Sequence, residues 1–259
     1  DGIFVFTNSA PTFALGQLVR VTATVSEFRP GGDSRNLTIT QLTSPSALNL
    51  GTAVAESVTI GTGGRLPPTQ IIDNDGFGTY DPDQDGIDFW ESLEGMLITL
   101  DTPIAISNTN SFGETYIAVS GGAGSTGQSA GGGLTISATD NNPERIQLDN
   151  DNGLFAGFSN QFSIGDRVSN VTGVVSYSFQ SFEVLVTQAV TTTLDVTATK
   201  EVTTLAEAAD KLSVASYNVE NLSANDSPAK LASLASDIVT NLKSPDIIGV
   251  QEIQDADGA

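Results

Sequence analysis

For its first 190 or so residues, this chain is a succession of short β-prone runs cut apart by Gly, Pro, Asp and Ser, a pattern that restricts it to a mainly β architecture. Gly2–Thr7, Leu18–Glu27 and Asn36–Leu42 are rich in Val, Ile, Thr and Phe. In the second run Arg20, Thr22 and Thr24 alternate with Val19, Val21, Ala23 and Val25, the period of two of a half-buried strand. Further strands are expected at Met96–Leu100, Thr115–Val119, Arg145–Leu148, Arg167–Tyr177 and Phe182–Thr187. A hairpin is expected from Gly173–Phe179 to Phe182–Thr187 across Gln180-Ser181. Many short strands with turn signals predict a barrel or a sandwich. Only Ile87–Leu93 departs from the pattern: it predicts a short helix with Phe89, Trp90 and Leu93 on one side and Gly95 at its end. Such a helix is placed to plug the mouth of a small barrel.

The pattern changes after a Thr/Ala-rich stretch, 191–211, which reads as a linker. Leu212–Val219 predicts a strand. Ser227 as N-cap and Pro228 at the first helical position predict a helix start. Leu231, Leu234, Ile238, Val239 and Leu242 share one helical face, and Pro245 stops the helix. Asp246–Ile253 is a near-continuous apolar run, as in a parallel strand covered on both faces. Residues 212–259 thus form one βαβ unit with parallel strands. Two strands and one helix cannot cover both faces of a sheet, so the unit is expected to be part of a larger domain.

Composition narrows the chemistry. The chain of 259 residues has 10 Lys+Arg against 31 Asp+Glu, a net charge of -21. It has no basic cluster to hold a phosphate backbone. This acidity suggests a soluble, secreted, extracellular protein using divalent cations. No apolar run reaches the ~18 residues of a membrane span. With no Cys, thiolate catalysis and Cys-ligated zinc are excluded, and with no His, so are the Ser-His-Asp triad and histidine general bases within these residues.

Two loops carry motifs. Ser120–Gly133 contains Gly122-x-Gly124-x-x-Gly127, but no helix can start in the glycines that follow and no βαβ unit encloses it. It reads as a mobile Gly/Ser surface loop. Asp81-Pro-Asp83-Gln-Asp85-Gly86 sets three carboxylates on one side of a tight turn, an arrangement that suits Ca2+. Asp73, Asp75, Asp88 and Glu91 are available as further ligands. The other reading is a solvated acidic loop in which Asp85 caps the following helix. Among the aromatics, Phe158, Phe162, Tyr177, Phe179 and Phe182 are expected to pack in the core.

In a βαβ unit the carboxyl ends of both strands emerge on one edge, where α/β proteins bind ligands. The first strand ends at Tyr217-Asn218-Val219-Glu220-Asn221 and the second at Gln251-Glu252, so Asn218 and Glu252 are expected to approach. A carboxylate beside a carboxamide suits Mg2+ or Ca2+ and a phosphate-bearing substrate. The alternative is a pair of ordinary polar strand ends.

The stretches 213–222 (SVASYNVENL) and 244–253 (SPDIIGVQEI) closely resemble the start of the endonuclease/exonuclease/phosphatase family, which includes the DNase I-like enzymes. The resemblance implies that Glu252 binds a catalytic Mg2+ and that Asn218 contacts the metal-bound phosphate region, with Glu220 and Asn221 in supporting places. The segments 1–6, 85–96, 142–149 and 165–168 are similar to the OB-fold-like modules that precede the nuclease domain in large secreted bacterial nucleases. In that family the catalytic His residues lie after the second strand, and this sequence has none. The expectation is therefore a mainly β chain: an OB-fold-like β-barrel region at 1–190, divisible at about 1–75 and 95–190, a linker at 191–211, and an incomplete α/β start of a DNase I-like domain at 212–259. It would be an internal piece of a nuclease acting on extracellular DNA, itself catalytically incomplete. From another class, it would be a non-catalytic, Ca2+-stabilised extracellular binding, matrix or assembly module, self-associating through unpaired strand edges.

Overall fold

The computed structural model describes residues 2–149, 161–194, 200–206 and 208–255. Two compact units divide the chain, Asp1–Thr197 and Ala198–Ala259. The fold is mainly β. Among the described residues no helix is long and apolar enough to cross a membrane.

In the first unit, β1 (Phe4–Val5), β2 (Gln17–Phe28) and β3 (Ile39–Thr52) form a three-stranded sheet in the order β1-β3-β2. The run expected at Asn36–Leu42 stops short of Ser44-Pro45, yet β3 continues ten residues beyond Leu42. A shift in register between Thr22 and Thr24 of β2 accommodates Ser44-Pro45 as a bulge. A bulge tolerates a residue that cannot donate to the ladder, so proline bends the strand here without ending it.

A nine-stranded sheet holds β4 (Val58–Ile60), β5 (Leu97–Leu100), β6 (Ile104–Ala105), β7 (Thr115–Ala118), β8 (Ile146–Asp149), β9 (Arg167–Val168), β10 (Val171–Ser178), β11 (Ser181–Val186) and β12 (Thr192–Leu194). Its order is β12-β9-β6-β7-β8-β11-β10-β5-β4. β5 and β6 are two halves of one stretch bent at Asp101–Pro103, and β5 pairs with β10 while β6 pairs with β7. The sheet therefore curls back towards its own start. The pairs in this sheet are antiparallel except β8 with β11 and, at its edge, β4 with β5, which are parallel. This is the strand order of a partly open OB-type barrel. The first residues of the stretch read as a linker form β12, which pairs antiparallel with β9.

The hairpin β10–β11 turns one residue earlier than its sequence suggests, at Phe179-Gln180. Both residues have positive φ, 42° and 69°, and Ser178 pairs with Ser181. Right-handed strand twist favours such two-residue turns. Phe179 is consequently exposed at the turn, whereas Phe162 and Tyr177 are buried. Phe158 lies outside the described residues.

Helix α1 (Gly86–Glu91) begins at Asp85, whose carboxylate accepts the Asp88 N–H at 3.0 Å. It sends Phe89 and Trp90, 1% and 3% exposed, into one core with Ile98, Leu100, Ile117, Ile146, Leu148, Val171, Val175 and Val184. The Trp90 indole N–H is satisfied by the Pro143 carbonyl at 2.9 Å. Ser120–Gly133, expected to be a mobile loop, is extensively hydrogen-bonded. Among its contacts, Thr135 N–H donates to the Gly127 carbonyl at 2.8 Å and Thr126 N–H to the Glu144 carboxylate at 3.0 Å.

The second unit pairs β13 (Val214–Leu222) with β14 (Ile247–Ile253) in parallel, joined by α2 (Pro228–Ser236) and a wider turn at Asp237–Asn241. Ser227 caps α2 by accepting the Lys230 N–H, with Pro228 in its first turn. Lys200, inside the expected linker, belongs to this unit: its ammonium grips Asp237 at 2.6 and 2.7 Å. Val214, Ile247, Val250 and Ile253 stay exposed, as do Leu231 and Val239 of the helical connection.

Candidate functional site

The parallel pairing brings Asn218 opposite Gln251, one residue before Glu252. The ladder resumes at Leu222 opposite Ile253, so Val219, Glu220 and Asn221 stand across from Glu252 alone. Glu220, Asn221 and Glu252 all have positive φ, at 54°, 53° and 62°. Left-handed backbone at a non-glycine residue is strained, and such strain gathers at functional sites. Bulges of this kind re-aim side chains. Here Asn218 Nδ2 donates to Glu252 Oε1 at 2.7 Å, and the Asn221 N–H reaches Oε2 at 3.2 Å. The other end of the Asn218 amide accepts the Glu220 N–H at 2.8 Å. Asn218 and Glu252 are exposed, while Val219 between them is buried.

Two residues that sequence reasoning missed hold the bulge in shape. Lys230, in the first turns of α2, donates to the Glu220 carbonyl at 2.7 Å and pairs with Asp226 at 3.2 Å. Gln254 donates to Asn221 Oδ1 at 2.6 Å. The Ser223 N–H and Lys230 keep the Asp226 carboxyl below its usual range. The only sequence signal for Lys230 was its place three residues after the cap. Behind the site, Tyr217 donates to Asp237 at 2.8 Å and ties β13 to the helical connection. Burial, and then the Asp237 charge, push the Tyr217 phenol up to about 12. At the opposite strand ends, the Ser213 N–H and hydroxyl both donate to Asp246 at 2.8 Å.

Glu252 offers carboxylate oxygens fixed by an amide and a backbone N–H, beside a carboxamide. Mg2+ is commonly held by one or two carboxylates and substrate phosphates, so these donors fit it.

In the first unit, oxygens of Asp81, Asp85 and Asp88 lie within 4.8 Å of one another. Asp81 and Asp85 belong to the expected set and Asp88 to its further ligands, whereas Asp83 lies outside the group. The Gln84 N–H folds back to the Asp81 carbonyl at 2.8 Å, which leaves Asp83 exposed at the apex. The first turn of α1 supplies Asp88 instead, and its carboxylate accepts the Asp81 N–H at 2.6 Å. Asp73 and Asp75 close turns of their own, Asp73 accepting the Asp75 and Gly76 N–H groups and Asp75 that of Gly78. Burial and then the Asp88 and Asp81 charges push the Asp85 carboxyl up, against the pull of the Asp88 N–H. Asp81 Oδ1 is sealed from solvent and has no hydrogen-bond partner among the described residues. Three hard oxygen ligands, one of them otherwise unsatisfied, fit Ca2+.

A groove of about 670 Å3 separates β1 from β10 and β11. Phe4, Phe6, Phe28, Leu185 and Glu94 are among the residues that line it. Glu94 accepts the Thr40 N–H at 2.8 Å. Burial, helped by the Glu91 charge, pushes its carboxyl up to about 7.

No curated protein and no solved structure matches the chain. A family model does match, over residues 59–195, which take in β4 to β12, α1 and the Asp81–Asp85–Asp88 cluster. With more than half its length so matched, the chain belongs to the family described as Domain of unknown function (DUF8508).

Proposed function

We propose that the second unit is the opening βαβ of a divalent-metal-dependent phosphodiesterase, and that the complete enzyme hydrolyses extracellular DNA after secretion. One observation carries the reading: the Asn218–Glu252 hydrogen bond on a bulged, left-handed pair of strand ends. The resemblance of residues 213–222 and 244–253 to the endonuclease/exonuclease/phosphatase family supports it. In this proposal Glu252 and, beside it, the phosphate-side amide Asn218 hold Mg2+ and substrate. Bound Mg2+ would neutralise phosphate charge and polarise the phosphodiester. The chain's own residues position: Asn218 and the Asn221 N–H fix both oxygens of Glu252, while Lys230 holds the bulge. No His is present to activate water, so the 259 residues are catalytically incomplete.

Mn2+ tests the site on the chain itself. Broadening of the Asn218 side-chain and Asn221 backbone signals in a nitrogen–proton NMR spectrum is expected, and Glu252→Gln should abolish it. Equal broadening in the variant sinks the assignment. Plasmid nicking by the short chain, lost on Glu252→Ala, would overturn its incompleteness.

A second reading rests on the unpartnered Asp81 oxygen. The first unit would be a Ca2+-stabilised module for binding or assembly, with self-association through open strand edges. Ca2+ should then raise the melting temperature and leave nicking unchanged.

A further inference from the structure

Asn142 and Glu144, 1% and 3% exposed, both reach the adjacent residues Thr126 and Gly127. Glu144 Oε1 accepts the Thr126 N–H at 3.0 Å. Asn142 Oδ1 sits against Gly127, 3.4 Å from where a Cβ there would be. Beyond these contacts, three buried polar atoms of the pair have no hydrogen-bond partner among the described residues: Glu144 Oε2 and both ends of the Asn142 amide. Buried polar atoms left so are rare in folded proteins and point to a missing ion or water. Asn142 is also held at φ 50°, a strained backbone that its surroundings must enforce.

Each of the three atoms is shut off from solvent. Ca2+ approaches oxygen more closely than water does, at about 2.3–2.6 Å. Glu144 is 3% exposed, and a carboxylate so buried needs a cation or hydrogen bonds beside it. The Arg145 guanidinium lies over the Tyr116 ring, 5.0 Å from its centre. In sequence the oxygen-bearing residues alternate, Asp140-x-Asn142-x-Glu144, the spacing by which short loops wrap a hard cation. The Asp140 carboxylate accepts the Asn142 N–H at 3.1 Å.

We infer that Asn142 and Glu144, with Asp140 beside them, form a buried Ca2+ site that fastens the 120–145 loops to the barrel. The amide takes its oxygen-inward orientation from the ion, because no other group fixes which end faces in. This site uses none of the residues of the Asp81–Asp85–Asp88 cluster and does not depend on the nuclease reading.

Trp90, the chain's single Trp, donates to the carbonyl of Pro143, between the two ligands in sequence. It therefore serves as an antenna for Tb3+ used in place of Ca2+. The measurement is made on Asp81→Asn/Asp88→Asn protein, which keeps the Asp85 cap and disables the other cluster. Saturable, Ca2+-displaceable Tb3+ emission is expected. Glu144→Gln in this background should weaken binding at least tenfold, and Asn142→Asp, which adds a charge at a position where Asp tolerates positive φ, should tighten it about tenfold. Absence of saturable emission, or undiminished binding by folded Glu144→Gln protein, overturns the proposal. Should Glu144→Gln lose its near-ultraviolet circular dichroism, Asn142→Asp decides: unchanged or weaker affinity overturns the site.

Discussion

Asn218 on β13 and Glu252 on β14, 34 residues apart in sequence, meet side chain to side chain at 2.7 Å. The contact follows from parallel pairing, which sets both strands' carboxyl ends on one edge. Its geometry follows from the bulge, since a regular ladder would not give Asn221 a backbone N–H on the second Glu252 oxygen. The Lys230 ammonium from the helix and the Gln254 amide brace the bulge.

Lys230→Met should loosen the bulge without unfolding the chain. The ammonium bonds the Glu220 carbonyl and Asp226 in a partly exposed setting, where solvent screens much of its contribution. Amide exchange at Val219–Leu222 should accelerate about fivefold, with little change in the melting temperature of the first unit. Unaltered exchange there would show that Lys230 does not brace the site.

The acidic turn separates two patterns of ligands. Asp83→Asn should leave the Ca2+-induced rise in melting temperature intact, whereas Asp88→Asn should reduce it. At Ca2+ about 100-fold above its dissociation constant, one ion adds about 2.7 kcal/mol. For a unit of this size that is roughly 5–10 °C by calorimetry. A larger loss from Asp83→Asn than from Asp88→Asn would restore the linear D-x-D-x-D reading.

Glu94 makes stability depend on pH in a defined direction. Its folded value of about 7 lies above the ordinary 4.5, so between these pH values the folded protein keeps a proton that the unfolded chain has released. Its contribution to stability is therefore full below about pH 4.5 and lost as pH rises to about 7. Glu94→Gln retains an acceptor for the Thr40 N–H and removes the titration. Relative to the parent, the variant should gain stability from pH 5 to pH 8 in urea unfolding, and parallel pH profiles would refute this.

Gly86→Ala tests a conflict between local and tertiary preference. Ala favours a helix over Gly by about 1 kcal/mol. A Cβ at position 86, however, would collide with the Pro143 ring, whose carbonyl is fixed by Trp90. Overpacking of this kind costs about 1–3 kcal/mol, so net destabilisation is expected in thermal melts. A stabilised variant would mean that Pro143 yields easily.

The sequence alone determined what depends on short spacing. Period-two alternation marked Leu18–Glu27, now within β2, and Ser227-Pro228 marked the start of α2. The apolar side of a single short helix marked Phe89 and Trp90 for the core. Asn218 and Glu252 were legible because one βαβ topology leaves their strand ends nowhere else to go. Tertiary structure decided whatever depends on distant partners. β3 continues through Ser44-Pro45 because β2 offers a ladder that absorbs a bulge. Asp88 replaces Asp83 in the acidic cluster because the turn folds back onto the helix. The unpartnered amide of Asn142 and oxygen of Glu144 became visible only once Thr126 and Gly127 were brought beside them. Burial and hydrogen-bond satisfaction are properties of the space around an atom, and local sequence does not specify which remote residues fill that space.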